Sequence, residues 1–364
     1  MQYPISGEEG EGLRNAQLGA IHAIAANYTI EENGNAMIVM PTGSGKTTVL
    51  MMAPFVLRKS KVLIVTPSAL VRGQIFDDYS NLRTLKRIGV FPKETSAPKV
   101  FEAKKLYYDN QIEKIKEASV VIATHKVAVS ISSESISTSF DYIIIDEAHH
   151  VPAPSWQSIL NNMPNIPSLF VTATPFRLDR KDIKGKQIYN YPLYKAYRDG
   201  IFGEIIFHPI DEAPNKDQLI ALEAERVFLN DRNMDLDHYM MVRTDTKDKA
   251  KLLENLYRKS TSLKLKRIDS SMTYRTVNQA LNDLKSKKLD GIICVDMLGE
   301  GFDFPNLKIA AVHEPQKSLA STLQFIGRFA RTNAENIGSA KFIAMKDENL
   351  IVGNKKLYSN DIAW

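Results

Sequence analysis

The chain has 364 residues, 44% of them hydrophobic and 24% charged, with 47 basic against 42 acidic side chains for a formal net charge of +5. That length suggests two domains, because single cores stop growing near ~250–300 residues; the composition is that of an ordinary globular protein, and no apolar run approaches the ~18 residues that span a membrane. The start, Met1-Gln2-Tyr3-Pro4, lacks a basic and apolar signal segment, and the single cysteine, Cys294, excludes an internal disulfide and any multi-cysteine metal site. These features point to the cytosol, and the small positive charge is weak support for a nucleic-acid partner.

Leu13, Ala16, Ala20 and Ile24 recur at helical spacing, so a helix is expected there, with Gln17 either reaching a bound base or lying on an amphipathic surface. Ala36-Met37-Ile38-Val39 reads as a buried strand. It leads through Met40-Pro41-Thr42-Gly43-Ser44-Gly45-Lys46-Thr47-Thr48 into a helix-like run from Val49 to Pro54. Strand, glycine-rich loop and helix make a phosphate cradle: glycines let backbone N–H groups converge on an anion, and the helix N-terminus adds a favourable dipole. In such a cradle Lys46 reaches the β- and γ-phosphates and Thr47 holds Mg²⁺. The strict pattern has Gly at position 40, where this chain has Met40.

A strand over Val62 to Val65 ends in Thr66-Pro67-Ser68 and continues to Arg72-Gly73-Gln74, at the carboxyl edge where parallel sheets bind ligands. Arg72 and Gln74 could touch phosphates there or belong to a solvated helix start. Residues 91–118 are Lys-rich, helical from Gln111 to Ala118, and expected to be a solvated face. Val120-Val121-Ile122-Ala123-Thr124-His125-Lys126 repeats the pattern of strand, then polar residues. Tyr142-Ile143-Ile144-Ile145 then runs into Asp146-Glu147-Ala148-His149-His150. Two carboxylates ending a buried strand need cationic company. A Mg²⁺ held by Thr47 would supply it, with Asp146 contacting the metal and Glu147 aligning and deprotonating an attacking water. A further strand, Leu169-Phe170-Val171, ends in Thr172-Ala173-Thr174-Pro175, whose hydroxyls could bond those carboxylates or cap the strand.

Five apolar strands alternating with helical stretches imply an α/β domain over residues 1–205, a mainly parallel sheet with helices on both faces. Gly200 and Gly203 are expected hinge punctuation. Residues 206–364 hold a second alternating set, with strands at 240–242, 263–268, 291–295, 309–312 and 341–344 and an amphipathic helix carrying Ala250, Leu253 and Tyr257. This second domain has no phosphate loop of its own, but it carries Gly299-Glu300-Gly301-Phe302-Asp303-Phe304-Pro305 and Gln324-Phe325-Ile326-Gly327-Arg328-Phe329-Ala330-Arg331. Arg328 and Arg331 share one helical face. They are either surface charge or, aimed across a cleft at a γ-phosphate, arginine fingers that supply roughly 10³–10⁵ in rate.

With these blocks in order, from Gln17 to Arg331, the chain resembles the superfamily-2 helicases and translocases of the DExH type. Pro41 to Thr47 is similar to motif I, Thr66 to Gln74 to motif Ia, and Ala123-Thr124-His125 to the following strand-binding motif. Asp146-Glu147-Ala148-His149 has the DEAH form of motif II, Thr172-Ala173-Thr174 resembles motif III, Gly301-Phe302-Asp303 motif V, and Gln324 to Arg331 motif VI, with Phe325 where a further Arg is common. The resemblance implies two tandem RecA-like domains with ATP and Mg²⁺ in the cleft between them and nucleic acid across both. It implies that Thr42, Gly43, Ser44, Gly45, Lys46, Thr47 and Thr48 hold the phosphates, Gln17 reads adenine, and Gly301 and Asp303 contact the ribose side. Gln324 would position water, Arg328 and Arg331 would be fingers, and Pro67, Arg72, Gln74, Thr124 and His125 would grip the nucleic acid. His149-His150, Thr174-Pro175-Phe176-Arg177 and Tyr197-Arg198-Asp199-Gly200 look closest to the restriction-enzyme-like and repair-like branch. Its members act mostly on DNA, often as motors attached to other domains, and a defence context is expected. An ATP-gated clamp signalling to a partner, and an RNA helicase, are the alternative readings.

Overall fold

The computed structural model describes residues 1–5, 12–105, 109–148, 154–173, 185–201, 203–269, 272, 274–295, 304, 306–314, 329 and 337–346. Gly301, Asp303, Gln324, Arg328 and Arg331 lie outside the described residues, as do His149, His150 and the segment Thr174-Pro175-Phe176-Arg177. The chain forms two compact units, Met1–Pro192 and Leu193–Trp364. This division falls ahead of the expected boundary after residue 205, a boundary that would cut off the first residue of a strand of the second sheet.

The first unit runs α1 (Asn15–Ile30), β1 (Asn35–Val39), α2 (Lys46–Val56), β2 (Val62–Thr66), α3 (Ala69–Tyr79), α4 (Arg83–Arg87), β3 (Val100–Ala103) and α5 (Asp109–Glu117). It continues with β4 (Val120–Thr124), α6 (His125–Ser132), β5 (Tyr142–Asp146), α7 (Pro154–Asn162), β6 (Ser168–Thr172) and β7 (Lys186–Asn190). Its sheet has the order β3-β4-β2-β5-β6-β1-β7 with every pairing parallel. Strand neighbours therefore end at one carboxyl edge, the edge that parallel sheets use for ligands. Alternate residues serve opposite faces. Val39, Leu63, Val65, Val121, Ile143, Ile145 and Phe170 join one apolar cluster with Val127 and Ile131 of α6 and Trp156 and Ile159 of α7. The intervening Ile38, Ile64, Ile122, Ile144 and Leu169 are fully buried on the other face, the side of α2 and α3. In α2, Thr48 through Pro54 are all buried, as befits a helix covered all round.

The second unit runs α8 (Leu193–Arg198), β8 (Ile205–Ile210), α9 (Lys216–Asn233), β9 (Tyr239–Thr244), α10 (Lys247–Ser260), β10 (Leu265–Ile268), α11 (Tyr274–Lys285), β11 (Gly291–Val295), β12 (Leu307–Val312) and β13 (Ala340–Met345). Its sheet, again wholly parallel, has the order β10-β11-β9-β12-β13-β8. Ile220, Ala224 and Phe228 of α9 and Ala250, Leu253 and Tyr257 of α10 cover one face through Met240, Val242, Ile293, Ile309, Ala311 and Ile343. Phe329 is fully buried and meets Phe342 of β13 edge-on at 5.3 Å. No helix among the described residues is long and apolar enough to cross a membrane.

Two carboxylates of α9, Asp231 fully buried and Asp217 half-buried, fasten this helix in the second unit. Asp231, near the end of α9, accepts from His238 Nδ1 at 2.6 Å and from Lys341 Nζ. The Gly338 N–H donates to His238 Nε2, which leaves Nδ1 as the protonated nitrogen that faces Asp231. Burial pushes the Asp231 carboxyl up, but the bonds from His238 and Lys341 outweigh it and hold the group below its ordinary range. Asp217, in the first turn of α9, is lowered by the hydrogen bond from His313, against burial, with Lys249 adding to the effect. A lowered carboxyl contributes stability that is present above its unfolded value and lost as pH falls through the folded one. Urea denaturation is therefore expected to show a constant contribution above about pH 4–5 and a progressive loss below it. Asp231→Asn, which strips Lys341 of its carboxylate, is expected to cost ~3–5 kcal/mol at pH 7 and to flatten that acid limb.

Candidate nucleotide site

The site grows from the carboxyl edge of the first sheet. β6 lies between β1 and β5, with Val39 level with Thr172 and Asp146 level with Val171. The Met40 N–H donates to Thr172 O at 2.9 Å, so the loop leaves the sheet from a fixed point. Gly43 (φ 86°) and Gly45 (φ 89°) both take left-handed backbone, which other residues adopt only at a cost. Gly45 caps the start of α2, and Ser44 Oγ, fully buried, donates to Pro41 O at 2.7 Å, so the tip of the loop is satisfied internally. What remains open is the run of N–H groups entering α2, the geometry that receives an anion.

Helix α1 holds this loop from outside. The Arg14 guanidinium donates to Gly43 O at 2.8 Å, and Gln17 Nε2 reaches Gly45 O at 3.4 Å while Gln17 Oε1 accepts the Arg14 N–H at 2.9 Å. Gln17 is only 6% exposed, so it is not the surface glutamine of an amphipathic helix; its side chain lies against the loop. Arg14 gave no signal in the sequence beyond its place three residues before Gln17.

The acidic pair comes from the end of β5. Asp146 is buried, and the Glu147 N–H donates to its Oδ1 at 3.0 Å. Glu147 has φ 51°, a strained value for a residue with a side chain, of the kind that clusters at functional sites. Its Oε1 lies 3.6 Å from Lys46 Nζ, with the two side chains 16% and 11% exposed. Thr47 is exposed on the first turn of α2. A hydroxyl, one buried carboxylate and a glycine cradle suit a Mg²⁺ bound chiefly through phosphates and waters, the usual habit of that ion. No cluster of three metal-ligating side chains occurs among the described residues.

The expected nucleic-acid contacts sit on the same edge. Thr66 is level with Thr124, and its Oγ1 donates to Ala123 O at 3.2 Å; Pro67 follows it half-buried. Gln74 is exposed on α3, whereas Arg72 is 8% exposed and bound through Nε to Glu102 Oε1 at 3.0 Å. Arg72 therefore braces α3 against β3 in this structure. His125 opens α6 and stacks on Trp156 of α7, rings 5.0 Å apart at 15°.

The glycine requirement at position 45 is testable. A Cβ there would lie 2.0 Å from Gln17 Nε2, on backbone already left-handed. Gly45→Ala is expected to cost ~1–2 kcal/mol for the backbone alone, with the clash in addition. Adding Gln17→Ala is expected to relieve the clash and leave the backbone term, so urea denaturation of the double variant recovers stability only in part; full recovery would show the left-handed turn to be irrelevant.

Comparison with known proteins places this geometry. Residues 11–177 match the family of the type III restriction enzyme res subunit, and residues 224–333 match the helicase conserved C-terminal domain. The chain is 24% identical to putative helicase 22 of a Sulfolobus islandicus filamentous virus, over 88% of this chain and 62% of that protein, so it spans less than two thirds of that relative. Among solved structures it superposes on the type ISP restriction-modification enzyme LlaBIII bound to DNA (TM-score 0.63, 18% identity, 96% of this chain and 29% of that one). It likewise superposes on S. cerevisiae Dbp5 bound to RNA and ADP BeF3 (TM-score 0.61, 15% identity, 98% and 94%). Two parallel-sheet α/β units carrying these two domains in this order are the tandem RecA-like architecture of superfamily-2 helicases, with residues 11–177 matching the restriction-enzyme res subunits and residues 224–333 the helicase C-terminal domains.

Proposed function

We propose that this chain is an ATP-dependent nucleic-acid motor that hydrolyses ATP to ADP and phosphate and moves along DNA. The observation that carries the reading is the meeting of Lys46 and Glu147, 3.6 Å apart, at the mouth of a loop built on two left-handed glycines. A phosphate-binding lysine and a strained carboxylate held together in a mostly buried place are the parts that phosphoryl transfer to water needs. In this structure the two charges neutralise each other. A triphosphate in the cradle takes Lys46 for its β- and γ-oxygens, and Glu147 is then free to orient a water and accept its proton. Thr47 and Asp146 would hold Mg²⁺, which when bound neutralises charge developing on the phosphates. By resemblance Gln17 contacts adenine, Gly301 and Asp303 the ribose side, Gln324 the water, and Arg328 and Arg331 the γ-phosphate. Pro67, Gln74, Thr124 and His125 grip the polymer, and turnover alternates that grip.

DNA is the favoured polymer because the match over residues 11–177 is to a restriction-enzyme subunit, a relationship that also supports a role in defence. The RNA reading is favoured by the similarity to the ATP-dependent RNA helicase DRS1 of Eremothecium gossypii (25% identity over 81% of this chain and 41% of that protein). A grip directed at phosphates is sequence-independent and weakens with salt.

The test is ATP hydrolysis measured alone and with single-stranded DNA, duplex DNA and RNA at low and moderate salt. Stimulation by DNA that fades with salt is expected; greater stimulation by RNA would select the RNA reading, and indifference to all polymers would overturn the motor. Glu147→Gln is expected to lower kcat by about 10²-fold or more while retaining nucleotide binding, since it removes the base and frees Lys46.

A further inference from the structure

The stack of His125 on Trp156 belongs to no part of the nucleotide site, yet it joins two segments that the proposed function must connect. Thr124 ends β4 and Asp146 ends β5, on either side of β2 at the same carboxyl edge, where Thr66 is level with Thr124 and Val65 with Ile145. At the usual spacing of strands the two ends are ~10 Å apart. Each leads into a helix: α6 begins at His125 without a break, and α7 begins at Pro154, soon after Glu147.

These helices are fastened at both ends. At their starts the His125 and Trp156 rings lie 5.0 Å apart and 15° from coplanar. At their far ends Asn162 Nδ2 donates to Ser132 Oγ at 3.0 Å and to Ser133 Oγ at 3.1 Å. Between the fastenings Val127, Ala128 and Ile131 of α6 share one apolar cluster with Trp156 and Ile159 of α7, and with Ala148, the residue after Glu147. Close-packed interiors transmit displacement rather than absorb it. A shift at the start of α6 is therefore carried by the stacked rings into α7 and the packing around Ala148. The receiving backbone is Glu147, held at φ 51° with its carboxylate on Lys46, a strained conformation that its surroundings must maintain.

We propose that Trp156 is the positioning residue through which nucleic acid gripped at Thr124–His125 sets Glu147 for catalysis. The inference rests on the motor reading. Trp156 is 4% exposed, so a base cannot reach its ring directly, and any response of the indole to polymer comes through its protein neighbours. It touches neither nucleotide nor polymer, and its loss removes the communication without removing either site.

The chain has two tryptophans, so Trp364→Phe leaves Trp156 as the sole indole. In that protein, saturating oligodeoxythymidine is expected to change Trp156 emission; unchanged emission at saturation, with binding verified by anisotropy of a labelled oligonucleotide, would overturn the proposal. Turnover supplies the second arm. Trp156→Leu is expected to keep basal ATPase and oligonucleotide affinity while stimulation falls to about twofold or less, and Trp156→Phe, which keeps a stacking ring, is expected to restore it. Basal and stimulated rates falling by one factor, or stimulation surviving in Trp156→Leu, would overturn the coupling alone. A wild-type chain that no polymer stimulates overturns the motor reading and the coupling with it.

Discussion

Two backbone carbonyls organise the nucleotide side of this protein. Gly43 and Gly45 both take left-handed backbone ahead of α2, the kind of turn in which glycine-rich loops bring N–H groups together around an anion. The start of α1 reaches both: the Arg14 guanidinium donates to Gly43 O at 2.8 Å, and the Gln17 amide reaches Gly45 O, which also accepts the Thr48 N–H at 3.1 Å. The helix before the first strand is thereby part of the phosphate loop. Beyond this contact α1 is held by its apolar side, where Ala16, Ala20, Ile21 and Ile24 are fully buried. It also makes Gln17 a shared component, braced against the loop by the same side chain that the family resemblance sends to the base.

The sheet order then brings the second half of the chemistry to the loop. Because β6 separates β1 from β5, the acidic pair ends two strands away from the loop, a distance that the Lys46 side chain spans. The left-handed backbone at Glu147 and its ion pair with Lys46 occur together, each charge stabilised by the other; under the proposed function a bound phosphate would take the place of the carboxylate. In the second unit, the Asp217–His313 and Asp231–His238–Lys341 groupings fix α9 to β12 and β13. That rigidity gives Phe329 a firm seat on Phe342.

The central strands were legible because burial on both faces favours apolar residues: β1, β2, β4, β5 and β6 read as apolar runs, and so did the apolar stretches of β9, β11, β12 and β13, despite buried Arg243, Lys308 and Lys341. The edges were not. β3 lies inside a Lys-rich stretch expected to be a solvated face, and its Glu102 is polar because it binds Arg72. β7 exposes Lys186, Gln187 and Asn190, and β8 carries Pro209 and an exposed Ile206, the marks of edge strands that lack an apolar pattern. At the site, Gly43, Gly45, Lys46, Asp146 and Glu147 announced themselves through spacing, since their chemistry needs fixed residue types in a fixed order. Arg14 and Trp156 act by touching residues far away in sequence, Gly43 in one case and His125 in the other, and no local pattern encodes such a contact.

The most direct test of the brace on the phosphate loop is titration calorimetry of ADP into the wild-type chain and Arg14→Ala, with thermal denaturation of both as a control. The brace predicts that Arg14→Ala binds ADP about tenfold more weakly, ~1.4 kcal/mol, because the loop must be ordered without its outer donor. Equal affinity in the two proteins would contradict the account, since the loop would then hold its left-handed form without α1.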